Sequence, residues 1–360
     1  MTLNFNNKKI YIIAEIGVNH NGSISLAKKL IKEAKKSGAD AVKFQSFKTD
    51  ALVTRFAKQA PYQKKNLGMK EQQFKMLKRY ELKDEDYKIL YKECKKLKID
   101  FISSVFDEGS VDFIKKKIKS KIIKIPSGEI NNYLILRKLS LSNYKILIST
   151  GMSNYKEIVK AINTIASKKV FIEKNKKIKI IDMKLFKKIK KRICIMHCVT
   201  DYPVVKKQAN LKCINNIKND FKLIVGYSDH TLGVLAPIIA VSKGAKVIEK
   251  HFTLNKKMKG PDHLASLEPK ELSEMVKNIR DFESMEGNGK KYLQKCEQNN
   301  LKVARKSIVA KTNIKINEKF TYKNLTVKRP GTGLDPFKIK ELINKTSKRN
   351  YNPDQLILKV

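Results

Sequence analysis

Eight short apolar runs recur between Lys9 and Glu249, and polar stretches with helical periodicity separate most of them. The first, Lys9–Ile16 (K-I-Y-I-I-A-E-I), reads as a buried strand. G-V-N-H-N-G then turns the chain, and Ser23 is placed to cap a helix that runs to Lys36. In the second run, Ala41–Phe47, Lys43 and Gln45 alternate with apolar neighbours and so share one face. The same reading predicts strands at Asp100–Phe106, Lys121–Ile125, Lys145–Ser149, Arg192–Val199, Leu223–Tyr227 and Lys246–Glu249. Helices are predicted at Asp84–Leu97, Glu108–Lys117, Asn131–Leu139, Ser153–Lys168 and Pro269–Met285. Two stretches break this rhythm. Lys48–Glu81, with A-P-Y-Q-K-K-N and a helix-like run ending near Tyr80, is too long for a plain loop and suits a substrate-covering element. Val170–Lys191 is lysine-rich and carries little pattern, which places it on the surface.

Strand–helix alternation repeated eight times predicts an α/β fold, a parallel (β/α)8 barrel of the TIM type with its helices outside. An open doubly wound sheet is the alternative. G-V-N-H-N-G lacks the G-x-G start of a dinucleotide fingerprint.

Composition changes this picture in three places. A length of 360 residues, 41% of them apolar, supports a large barrel plus an appendage and argues against wholesale disorder. The formal charge of +44 raises the question of nucleic acid, but the lysines are scattered through every segment and follow no groove-reading module. Most of that charge is therefore expected on solvated helix faces, with no nucleic-acid and no membrane partner. Five cysteines, odd in number and without zinc or disulfide spacing, together with no signal-like start and no apolar stretch long enough to span a bilayer, lead to an expectation of a cytoplasmic protein.

The chemistry lies where the strands end. His230 and His251 each close an apolar run, with Ser228, Asp229, Glu249 and Asp262 close by in sequence, a pattern that suits a divalent-metal site. A single histidine is ordinarily a hydrogen-bonded structural residue; two delivered by neighbouring strands to one rim are harder to explain so. Lys43 and Lys124, with the hydroxyls of Ser103, Ser104, Ser127, Ser149 and Ser228, form a candidate cradle for a phosphorylated small molecule. In a parallel barrel all these carboxyl ends open on one face, the face on which such enzymes build their sites.

The motifs then assemble. A-E-I-G-V-N-H-N-G, A-V-K-F-Q-S-F, K-I-P-S-G-E, I-S-T-G-M, H-C-V-T-D-Y-P, Y-S-D-H-T-L-G, I-E-K-H-F-T-L and G-P-D-H-L-A-S together resemble the sialic acid synthases, most closely the bacterial N-acetylneuraminate synthases. K-V-A-R-K-S-I-V-A, K-N-L-T-V-K-R-P-G-T-G and P-D-Q-L-I resemble the small antifreeze-like (SAF, β-clip) domain that the family appends. The resemblance implies a catalytic barrel over residues 1–285, a linker over 286–300 and the SAF domain over 301–360. It implies condensation of phosphoenolpyruvate with N-acetylmannosamine and water, giving N-acetylneuraminate and phosphate. The same chemistry on another N-acetylated hexosamine, giving legionaminic or, less closely, pseudaminic acid, is the nearest alternative. A Schiff-base aldolase using Lys43 or Lys124 and a nucleic-acid-binding protein are the rivals from other classes.

Position by position, the resemblance makes His230 and His251 the ligands of a divalent metal, Mn2+ before Mg2+ or Co2+. Lys43, Lys124, Ser127, Ser149 and Ser228 match positions that hold phosphoenolpyruvate. Glu15 and Glu129 match acidic residues near the reacting atoms, and Asn66, Tyr202, Asp262 and Arg329 match sugar contacts. Arg329 would reach the site of the partner in a domain-swapped homodimer. Ser104 stands where relatives carry a threonine, and Thr200 where some place an asparagine at a phosphate contact. His263 is read as a loop residue beside Asp262.

Overall fold

The structure is a computed structural model that describes residues 9–140, 142–175 and 177–358. Strands β1 (Tyr11–Gly17), β2 (Ala41–Ser46), β3 (Asp100–Val105), β4 (Ile122–Ile125) and β5 (Lys145–Ser149) are followed by a short hairpin, β6 (Phe171–Lys174) and β7 (Lys177–Ile180). The series resumes with β8 (Ile193–Cys198), β9 (Ile224–Asp229) and β10 (Val247–His251). The eight strands outside the hairpin close in the order β1-β10-β9-β8-β5-β4-β3-β2, every neighbour parallel. The predicted (β/α)8 barrel is therefore the observed fold. The open sheet is excluded, since β1 pairs with both β2 and β10.

Side-chain alternation divides the barrel into two cores. Outward-facing residues such as Ile12, Val42, Ile123, Ile148, Ile195 and Ile248 pack beneath the helices. Ser23 caps Ile24–Lys36 as expected, accepting from the Leu26 amide, and that helix buries Ala27, Leu30, Ile31 and Ala34 at a 3–4 spacing. Inward-facing residues form a second, smaller core: Tyr11, Ile13, Ala41, Ile102, Ile122, Leu147, Cys194, Met196 and Val247, with Ile224 beside them. Gly226 is required here, because a Cβ on it would lie 2.3 Å from the Met196 sulfur and 2.7 Å from the Val247 carbonyl oxygen. The barrel thus has a packed apolar floor.

Val170–Lys191 lies largely at the surface, as expected, and carries structure that its pattern did not announce: it forms the β6–β7 hairpin and a helix over Met183–Ile189. Phe171 is fully buried and meets Phe186 and Phe221 edge-on, with ring centroids 5.9 and 5.5 Å apart. The alternation K-I-K-I at 177–180 was the strand signal, hidden by its lysines. Lys48–Glu81 is likewise structured, as three short helices at Thr49–Leu52, Pro61–Leu67 and Gln73–Tyr80.

The chain divides into two compact units between Gly287 and Asn288. The second unit pairs β11 (Ser307–Ala310) antiparallel with β12 (Leu325–Lys328) over a small core of Ile308, Ile314, Phe320, Leu342, Tyr351 and Ile357. The expected linker is helical at its end, with a turn at Lys295–Glu297 leading into a helix over Gln298–Ala304. Among the described residues no helix is long and apolar enough to cross a membrane.

Candidate active site

Two residues beyond the floor, each of the eight strands changes character. Glu15 follows Ile13, Lys43 follows Ala41, Ser104 follows Ile102, and Lys124 follows Ile122. Ser149, Cys198, Ser228 and Glu249 stand in the same relation to Leu147, Met196, Gly226 and Val247. All eight line one cavity of about 380 Å³ at the carboxyl ends of the strands. The alternation that makes the floor apolar carries these polar groups to the same interior one layer higher.

The layer is an ion network with almost no access to solvent. Lys43 Nζ lies 2.8 Å from Glu15 and 3.7 Å from Glu249, and donates to the Ser104 hydroxyl at 2.8 Å. Lys124 donates to Glu249 at 2.6 Å, and the Ser228 hydroxyl donates to the other Glu249 oxygen at 2.9 Å. Burial raises the Glu249 carboxyl, but Lys124, Lys43 and Ser228 outweigh it and hold it at about 2. Burial, with Glu249, pushes Glu15 upward against the opposing charge of Lys43. Burial lowers the Lys124 ammonium, with Glu249 opposing, while Glu15 and Glu249 overcome burial and keep Lys43 high. Glu249 is the firmly ionised anchor of the network. The sequence reading noted it beside the histidines but did not place it among the site residues.

Above the lysines, turn residues shape a second surface. The Ser127 hydroxyl accepts from the Gly151 amide at 3.0 Å. A Cβ on Gly151 would lie 2.1 Å from the Thr200 hydroxyl and 2.8 Å from that of Ser127, so the S-T-G turn needs its glycine. The Thr200 hydroxyl is buried without a hydrogen-bond partner, a group that a ligand oxygen would satisfy. Glu129 accepts from Asn132 at 2.7 Å, and burial, with Asp107 nearby, raises its carboxyl.

The two histidines meet on the next rim, ring centroids 5.4 Å apart. His230 Nδ1 lies 2.7 Å from the Val199 carbonyl, which orients the ring and leaves Nε2 as the nitrogen that could take a ligand. His251 Nδ1 is buried with no hydrogen-bond partner; burial, then the charges of His230 and Lys43, keep that imidazole neutral. Burial lowers His230 as well, but Cys198 and the Val199 carbonyl outweigh it and push that imidazole up. Among the described residues no group of three or more His, Cys, Asp or Glu side chains converges as a metal centre. His230 and His251 are the side chains here that could hold a divalent ion. His263 is held at both nitrogens, by Thr253 at 2.7 Å and Asn21 at 3.3 Å, and has no such freedom.

Aromatic and apolar groups complete the cavity. Tyr202 packs on the His230 ring at 4.0 Å and against Tyr62 at 4.6 Å. Asp262 lies 3.9 Å from His251, and burial, with Glu15, raises its carboxyl to about 7. The Lys48–Glu81 excursion supplies Leu52, Val53, Met76, Leu77 and Tyr80 to the wall, beside Phe47 and Phe106. Two further expected sugar contacts are each engaged within their own unit. Asn66 donates to the Pro261 and Tyr202 carbonyls at 2.6 and 3.3 Å, and so ties two rim loops together from behind. Arg329 belongs to the second unit, where it is exposed and donates to the Ala304 carbonyl at 3.0 Å. Tyr62 and Gln45 are cavity residues that the sequence reading did not select, although Gln45 shares its strand face with Lys43.

Comparison with known proteins gives the same answer along the whole chain. The family model described as NeuB family matches residues 30–291, and the SAF domain model matches residues 305–360. The N,N'-diacetyllegionaminic acid synthase of Campylobacter jejuni is 45% identical over 97% of this chain and 99% of its own length. The enzyme of the same name from Legionella pneumophila is 39% identical over 97% and 93%. The solved N-acetylneuraminic acid synthetase from Leptospira borgpetersenii superposes with a TM-score of 0.67 at 29% identity, over 84% of this chain and 94% of that one.

Proposed function

The chain belongs to the NeuB, or sialic acid synthase, family, and from that premise we propose that it condenses phosphoenolpyruvate with an acetamido hexose to give a nine-carbon 2-keto acid. The supporting observation is the polar layer itself, in which two lysines, three serines and two glutamates converge on one enclosed cavity. Lys43 and Lys124, with Ser104, Ser127, Ser149, Ser228 and Thr200, hold the phosphate and carboxylate of the enol ester. Positioning and fixed charge then supply much of the rate. A divalent ion on His230 and His251, Mn2+ by family likeness, supplies Lewis-acid polarisation of the open-chain aldehyde. C3 of phosphoenolpyruvate forms the new bond to the aldehyde carbon, water adds at C2, and the C2–O bond breaks as phosphate leaves. Glu15 or Glu129, both held high by burial, takes the proton of that water.

For the sugar, the legionaminic branch is better supported than the N-acetylneuraminate branch. The relatives at 45% and 39% identity are both named for it. The Lys48–Glu81 excursion brings Leu52, Val53, Met76 and Leu77 to the cavity, beside Gln63 and Gln73, and these apolar groups suit the methyl groups of a diacetamido, 6-deoxy hexose. Tyr202 and Asp262 are assigned to its polar face. Arg329 is assigned to the partner's cavity in a homodimer.

Mass spectrometry of products from phosphoenolpyruvate, Mn2+ and a panel of acetamido hexoses tests this assignment. A nine-carbon acid from the diacetamido sugar is expected; turnover of N-acetylmannosamine alone would return the reading to N-acetylneuraminate. His230→Ala should abolish metal-dependent turnover, and near-normal activity would sink the metal assignment. Mixing inactive His230→Ala subunits with Arg329→Ala subunits should restore some activity if Arg329 acts across a dimer. A Schiff-base aldolase finds one point of support, the lowered Lys124 ammonium. Borohydride trapping of a pyruvate adduct at Lys124 would establish it instead.

A further inference from the structure

Charge is buried at β9 and β10 on the side away from the cavity as well. One residue along each strand from the inward-facing Ser228 and Glu249, side chains turn to the opposite face of the sheet. There Asp229 and Lys250, opposite each other in register, meet at 2.5 Å with neither side chain exposed to solvent. Asp229 is saturated. Its Oδ1 accepts from the Tyr227 hydroxyl at 2.9 Å and from the Thr231 amide at 2.8 Å. Its Oδ2 accepts from Lys250 and, at 3.2 Å, from the Thr231 hydroxyl. Lys250 also donates to the Thr231 carbonyl.

Stability alone does not account for this cluster, since well-packed apolar residues generally serve a buried position as well as an ion pair or better. Its location does. The ladder between β9 and β10 ends at the Asp229–Lys250 pair, and His230 lies one residue beyond it. Lys250 grips both residues that flank His230, and His251 is the next residue after Lys250. The ion pair is thus the cross-link between the two strands at the level where the imidazoles face each other.

We infer that Asp229 and Lys250 are positioning residues that set the spacing of the His230 and His251 rings for a divalent cation; the inference rests on the metal reading of that pair. The test is Mn2+ binding, followed by electron paramagnetic resonance of the free ion, in the full chain and in two variants. The double variant Asp229→Asn/Lys250→Met removes both charges at similar volume, and Asp229→Asn alone removes only the carboxylate charge, leaving one acceptor oxygen where the native side chain has two. The double variant should fold and bind Mn2+ about 10–100-fold more weakly. Its KM for phosphoenolpyruvate should be unchanged, and excess Mn2+ should restore its turnover. The single variant, which leaves the Lys250 ammonium without its carboxylate, should lose at least as much Mn2+ affinity, and whichever of the two variants folds decides the matter. Wild-type Mn2+ affinity in a folded variant would overturn the positioning role alone. Absence of Mn2+ binding by the unmodified protein would overturn the metal reading and this inference with it.

Discussion

The floor of the barrel and the layer above it are built from the same eight strands, two residues apart, and they follow opposite physical rules. The floor is apolar throughout, and its fit is set by volume: Gly226 is there because Met196 is. Each side chain buried in such a layer stabilises the fold by about 1.5–3 kcal/mol. The upper layer buries Glu15, Lys43, Lys124 and Glu249, groups that are costly to remove from water and are held by one another, by serines and by Gln45. The lower layer is shaped for stability and the upper one for a ligand. Their adjacency lets the rigid layer hold the costly one in place.

This contrast can be broken from either side. The largest effect is expected from Glu249→Ala, which leaves Lys124 without its ionised partner and Lys43 with Glu15 alone. It should abolish turnover and lower stability by about 3–5 kcal/mol in urea unfolding. Ile102→Ala, one layer lower, should cost about 2–5 kcal/mol by the same measurement while leaving both KM values near wild type. A large KM change there would show that the layers are not separable. Gly226→Ala overpacks the floor against Met196 and should cost about 1–3 kcal/mol. Adding Met196→Ala to it should recover part of that loss.

The smallest effect is expected in the pH dependence of Glu129. Its carboxyl is raised by burial, so the fold favours the protonated form. That contribution is complete below the unfolded value and is lost as pH rises through the folded one. Glu129→Gln should therefore gain stability over wild type at pH 8 relative to pH 5, and a parallel shift at both values would refute the assignment.

The two layers also differ in how far they could be read from sequence. The strands of the barrel were legible because each is a short apolar run, and period-two alternation placed Lys43 and Gln45 on one face. Lys43, Lys124 and the serines were visible as polar residues at strand ends. Glu249 was not selected because its importance lies in what it faces across the barrel, Lys124 and Lys43 from distant strands. The β6–β7 hairpin was missed because lysine dominates its composition while isoleucine alternation defines its structure. The bonds from Asn66 to the Tyr202 and Pro261 carbonyls could not be read from sequence, because those loops lie far away along the chain.

The closed floor has a kinetic consequence. The inward-facing apolar side chains fill the barrel beneath Lys43 and Lys124, and the cavity lies above them at the carboxyl ends of the strands. A ligand is expected to enter from that end, past the Lys48–Glu81 excursion. With the lysine layer below and the histidine rim above, ordered binding of two substrates is the expected kinetic pattern, and product-inhibition measurements would check it.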